Sequence, residues 1–220
     1  MEFLGKSTIK VEEIEKAVRY FDKFEIGLTK SDLDKFSQTK KILKKYRDKI
    51  ESIHTPHLTD EETDYLKKSD KLALELGKKL LILHSFRLIT LGWEEKVFGK
   101  YFPKSEFAIE NNPGDSFDYL KNSVLAKYNL CLDIAHLYIA YPKLLEFKHV
   151  LKRLIAEYKP KIKLIHLNDS SKRITGNLPI GKGEINWKTV VPLVKNFKCV
   201  IEVMPEYQLE GRKFIEKFIK

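Results

Sequence analysis

The sequence predicts a compact (β/α)8 TIM barrel of the α/β class. Short apolar runs alternate with longer stretches of helical periodicity along all 220 residues, the pattern of buried parallel strands joined by crossover helices. The alternation repeats about eight times, enough strand–helix units to close a barrel. Six of the runs end in an acid or a histidine: IESIH at His54, LLILH at His84, FAIE at Glu110, LCLD at Asp133, KLIH at His166 and CVIE at Glu202. In a doubly wound open sheet, the competing architecture, functional strand ends gather at one switch point; six of them spread over the chain favour a closed barrel.

The first strand is expected at residues 3–5, followed by a helix over 11–20. A second strand at 24–26 leads to Ser31, read as an N-cap with Asp34 three residues on, and a helix to about Asp48. The third strand is 50–53. Thr59 or Asp60 caps a helix reaching Leu76, which Gly77 ends. The fourth strand is 80–83. Residues 85–103 read as irregular with a short helix, and 107–109 as the fifth strand. A connection over 114–127 precedes the sixth strand, 130–132. Pro142 fits the first turn of a helix ending near Tyr158. The seventh strand, 162–165, opens a long loop with Gly176, Gly181 and Gly183. A short helix over 187–196, a strand over 199–203 and a helix over 209–219 complete the chain, read as one domain over residues 1–220.

A hydrophobic share of 43% and a charged share of 33% suit a globular chain rather than a disordered one. No apolar run is long enough to cross a bilayer. The start, MEFLGKSTIKVEE, lacks the long apolar region of a secretory signal. Cys131 and Cys199 lie inside apolar runs and read as buried thiols, not a disulfide framework. The expected compartment is therefore the cytoplasm. The net charge of +10, from 41 basic and 31 acidic residues, suits phosphorylated substrates or nucleic acid. The lysines are spread along the chain, which favours a solvated basic surface over a dedicated nucleic-acid face.

Carboxylates and imidazoles carried on rigid strand ends can converge on a metal ion. Glu110, Asp133, His166 and Glu202 form an oxygen-rich set suited to zinc, manganese or magnesium. His54 and His84 add nitrogen ligands from neighbouring strands. Six groups exceed the needs of one tetrahedral cation, so a two-ion centre sharing Glu110 is expected, with zinc the first choice. His136, three residues after Asp133, is a candidate substrate or outer-sphere group. Asn168 and Asp169 can orient His166 or form an Asx turn. Glu25 and His57 are candidate substrate contacts, with a salt bridge and an exposed loop histidine as their plain alternatives. Arg173 and Lys182 flank a glycine loop, ITGNLPIGKGEINW, and are candidate phosphate contacts; the loop carries no Walker pattern. His149, in EFKHVLKRL, reads as structural.

CLDIAH, HLNDSSK, LPIGKGEI and VIE, in that order, resemble the endonuclease IV and xylose-isomerase-like TIM-barrel superfamily (AP endonuclease family 2). The resemblance implies that His54, His84 and Glu110 hold a first zinc and that Glu110, Asp133, His166 and Glu202 hold a second. His136 resembles one ligand of a third zinc. The family's other third-zinc ligands form an Asp-x-His motif; Thr175 and Asn177 stand at the matching places, so two ions are expected and His136 is freed for substrate. The function so implied is metal-dependent phosphoester hydrolysis, on abasic DNA or a smaller phosphate ester. The alternative, drawn from the epimerases and isomerases of the superfamily, is proton transfer on a sugar or sugar phosphate by Glu110 and Glu202.

Overall fold

A computed structural model describes residues 1–59, 61–84, 94–171 and 177–219. Eight parallel strands close a barrel in sequence order: β1 (Glu2–Ser7), β2 (Lys23–Gly27), β3 (Ile50–His54), β4 (Leu80–His84), β5 (Phe107–Glu110), β6 (Asn129–Asp133), β7 (Ile162–Leu167) and β8 (Lys198–Ile201), with β8 pairing back to β1. The expected barrel is thus the observed one.

Two cores hold it. Leu4, Ile82, Ala108, Cys131, Leu164 and Val200, from six strands, form a small buried cluster of their own. A larger cluster packs the opposite strand faces against the helices, among them Ile26, Ile53, Leu83, Ile109, Leu132 and Ile165. This split is the two-residue alternation of a strand applied around the barrel.

The helices depart from expectation where local chemistry intervenes. α1 (Val11–Tyr20) is as expected. The next helix is capped by Thr29 rather than Ser31: Thr29 Oγ1 accepts from Asp32 N at 3.2 Å, and Asp32 Oδ2 accepts from Thr29 N at 2.8 Å. Lys35 leaves helical geometry, splitting the expected helix into α2 (Lys30–Asp34) and α3 (Phe36–Lys44). α4 (Thr63–Glu75) has Glu62 as its N-cap residue in place of Thr59; Asp60 lies outside the described residues. Gly77 follows it at φ 96°, the left-handed stop that glycine allows.

α5 (Phe117–Tyr119) runs into a π-helical turn, Leu120–Val124. α6 (Ile134–Ala140) begins directly after β6, with Asp133 as its N-cap. α7 (Leu144–Tyr158) is preceded by Lys143 as N-cap, so Pro142 stands before the helix instead of in its first turn. α8 (Trp187–Val194) and α9 (Gln208–Glu216) complete the described helices. No described helix is long and apolar enough to cross a membrane.

Candidate metal centre

The site stands one step above the small inner cluster. Ile82 is followed two residues later by His84, Ala108 by Glu110, Cys131 by Asp133, Leu164 by His166 and Val200 by Glu202. Successive strand residues point to opposite faces, so residues two apart share one. Each polar group therefore rises on the inner face directly beyond an apolar plug residue, at the C-terminal rim where barrels of this kind keep their chemistry.

His54, His84, Glu110 and Asp133 close β3, β4, β5 and β6. His166 is the penultimate residue of β7, because Leu167 still pairs with Ile201. Glu202 lies one residue past β8 instead of inside the expected 199–203 strand; its N–H still bonds Leu167 O at 2.9 Å, which fixes its backbone to the rim.

Glu110 joins the two halves of the cluster. Its Oε2 lies 2.8 Å from His54 Nε2 and 3.5 Å from His84 Nδ1, and its Oε1 lies 3.0 Å from His166 Nδ1. Glu202 Oε2 reaches the same His166 nitrogen at 2.6 Å. Donor atoms of Glu110, Asp133, His166 and Glu202 all fall within 4.8 Å of one another, as do those of His54, His84 and Glu110. Ligands about 2.0–2.3 Å from a shared cation are at most about 4.6 Å apart, so both sets fit a divalent ion with little rearrangement. The donor chemistry fits as well: the first set offers three carboxylates and an imidazole, the second two imidazoles and the shared carboxylate.

The surroundings hold these groups in place. Asp133 is the N-cap of α6, accepting from His136 N at 2.7 Å, while its Oδ2 accepts from Asn168 Nδ2 at 2.7 Å. Asn111 clamps the Asp133 backbone, accepting its N–H at 2.7 Å and donating to its carbonyl at 3.1 Å. His136 Nδ1 lies 2.8 Å from Asn111 O; a carbonyl only accepts, so Nδ1 carries a proton, and in the neutral ring Nε2 is then the acceptor. Asn168 Oδ1 accepts from Asn177 N at 3.1 Å, tying the following loop to the site.

Asp169 serves that loop and not the cluster. Its carboxylate accepts from the N–H groups of Ser170, Gly181 and Ile185 and from the Trp187 indole. Gly183 packs against it so closely that a Cβ there would stand 2.2 Å from Asp169 Oδ1.

Charge in the cluster is arranged for anions that stay ionised. Burial pushes the Glu110 and Glu202 carboxyls up, but His166 beside both, with His84 for Glu110 and Lys6 for Glu202, pulls them well below the usual range. The same competition, won by His166 and Lys6, leaves Glu25 at about 2. Asp133 differs: burial, with Glu202 and Glu110 nearby, raises it to about 6 against the pull of His136. Burial takes His84 down to about 3. These directions describe the cluster without a cation, whose charge would favour every carboxylate in ionised form.

The described residues enclose a cleft of about 380 Å³ above the cluster, lined by Lys6, His54, His84, Glu110, Asp133, His136, Asn177 and Glu202 among others. His57 also lines it, its ring stacked on His84 with centroids 3.9 Å apart. Glu25 does not line the cleft as a substrate contact would. It is fully buried below, accepting from Ser52 Oγ at 2.8 Å and facing His166 Nε2 at 3.3 Å. Lys182 is exposed and outside the lining residues. Arg173, Thr175 and Gly176 lie outside the described residues. His149 sits in α7, away from the cleft lining.

Sequence reasoning missed Lys6, whose ammonium contacts Glu202. The signal was present: Lys6 follows Leu4 by two, as each site residue follows its plug. It missed the Asn111 clamp too, for which the sequence carries no signal.

Residues 103–217 match the family described as xylose isomerase-like TIM barrel. No curated protein sequence matches the chain. Among solved structures, a Thermus thermophilus protein soaked with ZnCl2 is 16% identical, with 100% of this chain and 98% of that one covered and a TM-score of 0.75. D-allulose 3-epimerase from Methylomonas sp. is 12% identical, covering 99% and 98%, at 0.68. The E. coli 3-keto-D-glucoside 4-epimerase is 12% identical, covering 98% and 100%, at 0.62. At such identities the likeness establishes the fold.

Proposed function

This chain belongs to the xylose isomerase-like TIM-barrel family, and on that premise we propose that it is a divalent-metal-dependent sugar isomerase or epimerase in which Glu110 and Glu202 transfer the proton, residues 1–220 acting as one domain. The observation that carries the reading is the convergence of Glu110, Asp133, His166 and Glu202 within 4.8 Å, with Glu110, Asp133 and Glu202 lining the cleft. At about 380 Å³ the cleft lies near the small end of ligand pockets, a size for a monosaccharide or its phosphate. Two of the solved relatives are named as sugar epimerases. The wider family thus supports proton transfer over the endonuclease-like hydrolysis expected from CLDIAH and HLNDSSK.

Glu110, Asp133, His166 and Glu202 would hold the cation. A bound divalent ion there supplies positive charge that acidifies the C–H beside a sugar carbonyl. Glu110 and Glu202, both ionised in the cation-free cluster, would form the acid–base pair. One, as carboxylate, would take the proton from carbon; for epimerisation the other, already protonated, would deliver a proton to the opposite face, and for isomerisation the same group would return the proton to the adjacent carbon while a hydroxyl proton passes between the two sugar oxygens. His136 Nε2, at the cleft wall, accepts a substrate hydroxyl hydrogen. One relative was soaked with ZnCl2, which makes zinc the first ion to test, then manganese and magnesium.

The test is turnover of a ketose panel in D2O with added metal, followed by NMR. Deuterium is expected at the carbon that exchanges its proton. Turnover with every carbon-bound hydrogen retained excludes this route.

A second reading has its own observation. The His54–His84–Glu110 set offers a second cation position that a one-metal sugar enzyme leaves unused. Two ions sharing Glu110 would suit metal-assisted hydrolysis of a phosphate ester, and the net charge of +10 is compatible with such a substrate. Metal-dependent phosphate release from a small ester, or cleavage of an abasic duplex, without deuterium uptake on sugars would select it.

A further inference from the structure

Among the described residues, Lys6 is the cleft-lining cation on β1, and the proton-transfer scheme gives it no step. Its Nζ touches Glu202 Oε1 and lies 3.4 Å from Glu25 Oε1. The contact with Glu25 is built into the barrel, because Lys6 and Glu25 are register partners across β1 and β2. Glu25 Oε1 faces two nitrogen groups, His166 Nε2 at 3.3 Å and the Lys6 ammonium at 3.4 Å, and of the two Lys6 carries the permanent charge. Glu25 Oε2 takes the Ser52 hydroxyl, but Oε1 is fully buried with no hydrogen bond. A buried carboxylate left without charge compensation costs several kcal/mol.

The neighbourhood also holds a third group of potential ligands. Donors of Glu25, His54, His166 and Glu202 lie within 4.8 Å of one another, overlapping both sets already described. By the same geometric criterion this group too can take a divalent ion, yet an ammonium already stands between its two carboxylates.

We propose that Lys6 is a resident cation: a positioning residue whose ammonium bridges Glu25 and Glu202, fixes Glu202 at the rim, and keeps a divalent ion out of the Glu25–His54–His166–Glu202 group. The inference rests on the reading of Glu110, Asp133, His166 and Glu202 as a metal set. Its content is selective: the ligands of that group are sufficient for a metal, and a lysine occupies the position instead. The fixed monovalent charge leaves Glu202 shared with only one divalent ion, because its Oε1 is held by the ammonium and not by a second metal.

Metal stoichiometry reads this without activity. Wild type, Lys6→Met, Lys6→Arg, Glu25→Gln and the double variant Lys6→Met/Glu25→Gln are dialysed against Zn2+ or Mn2+ and assayed by elemental analysis. Lys6→Met is expected to gain one equivalent of metal per chain. Lys6→Arg, which keeps the charge, and the double variant, which removes both charges together, are expected to match wild type. Equal stoichiometry in wild type and Lys6→Met overturns the proposal, and so does an extra equivalent that persists in the double variant. If Lys6→Met does not fold, the charge-balanced double variant decides: folding with wild-type stoichiometry supports the proposal, and failure to fold overturns it. A wild-type protein that binds no metal at all refutes the underlying metal reading, a result separable from the others.

Discussion

Asp169→Asn tests whether the loop beside the cleft is held by one carboxylate. Asp169 is fully buried, and four donors converge on it: Ser170 N and Ile185 N on Oδ1 at 2.9 and 3.2 Å, Gly181 N and Trp187 Nε1 on Oδ2 at 2.8 and 2.9 Å. Asparagine is nearly the same size but offers one accepting oxygen. Two of the donors would keep an acceptor, and the other two would face an NH2 group. A hydrogen bond to a charged group contributes about 1.5–3 kcal/mol; losing two therefore costs about 3–6 kcal/mol. That is a large part of the roughly 5–15 kcal/mol that holds a domain folded. With a urea slope of about 2 kcal/mol/M, the unfolding midpoint should fall by roughly 1.5–3 M.

The assay is urea unfolding followed by circular dichroism, with tryptophan fluorescence reporting on Trp187. The functional consequence follows from connectivity. Asp169 and Leu178 exchange backbone hydrogen bonds, and Asn177, next in line, is tied to Asn168 and so to Asp133. A slack loop should weaken substrate binding more than metal binding. A midpoint shift below about 0.5 M would refute the reasoning, because four buried donors on one carboxylate leave no room for so small an effect.

Glu110→Gln should lower metal affinity by at least about 100-fold, since both ligand sets share this carboxylate and an amide nitrogen cannot coordinate; isothermal titration with Zn2+ or Mn2+ checks it against the ordinary cost, about 10–100-fold, of losing an outer-sphere partner. Saturating metal at about 100 times its Kd should stabilise the fold by about 2.7 kcal/mol, raising Tm by roughly 5–10 °C for a chain of this length, and a chelator should reverse the gain; calorimetry with and without chelator reads both. Gly183→Ala should destabilise the same loop by about 2 kcal/mol or more, because the new Cβ would meet Asp169 Oδ1 at 2.2 Å and Ser170 O at 2.4 Å, seen as a lower urea midpoint. Asp70 sits fully buried between Tyr101 Oη at 2.5 Å and the N–H groups of Lys104 and Ser105. Burial pushes its carboxyl up, but those donors bring it below the ordinary value. The folded pKa lies below the unfolded one, so this contribution is present at neutral pH and lost as pH falls through the folded value. Asp70→Asn should therefore lower stability at pH 7 and show a shallower loss between neutral and acid pH than wild type.

The strand ends were legible in the sequence because they obey local rules. An apolar run closed by a polar residue marks both an element and its exit, and six such exits gave the barrel and the donor groups together. Lys6 obeys the same spacing from Leu4 and was passed over because its strand is poorly marked. The break at Lys35 and the cap of α4 at Glu62 escaped because each depends on which hydrogen bonds the backbone completes. Two helices that read as one periodic stretch are not distinguishable by periodicity alone.

By itself the sequence determined the fold class, the acid or histidine closing each of six apolar runs, and the chemistry available at the rim. Tertiary structure decided which groups share an ion and which do not. Glu25 and Glu110 read alike, as acids near the ends of apolar runs. Barrel closure sets β1 beside both β2 and β8, and the register of β2 against β1 and β3 puts Glu25 below the rim beside Lys6 and Ser52. The register of β5 against β4 pairs Glu110 with His84 at the rim. Glu25 therefore faces an ammonium as well as His166, while Glu110 is ringed by histidines. That difference arises from strand stagger, which no single run of residues encodes.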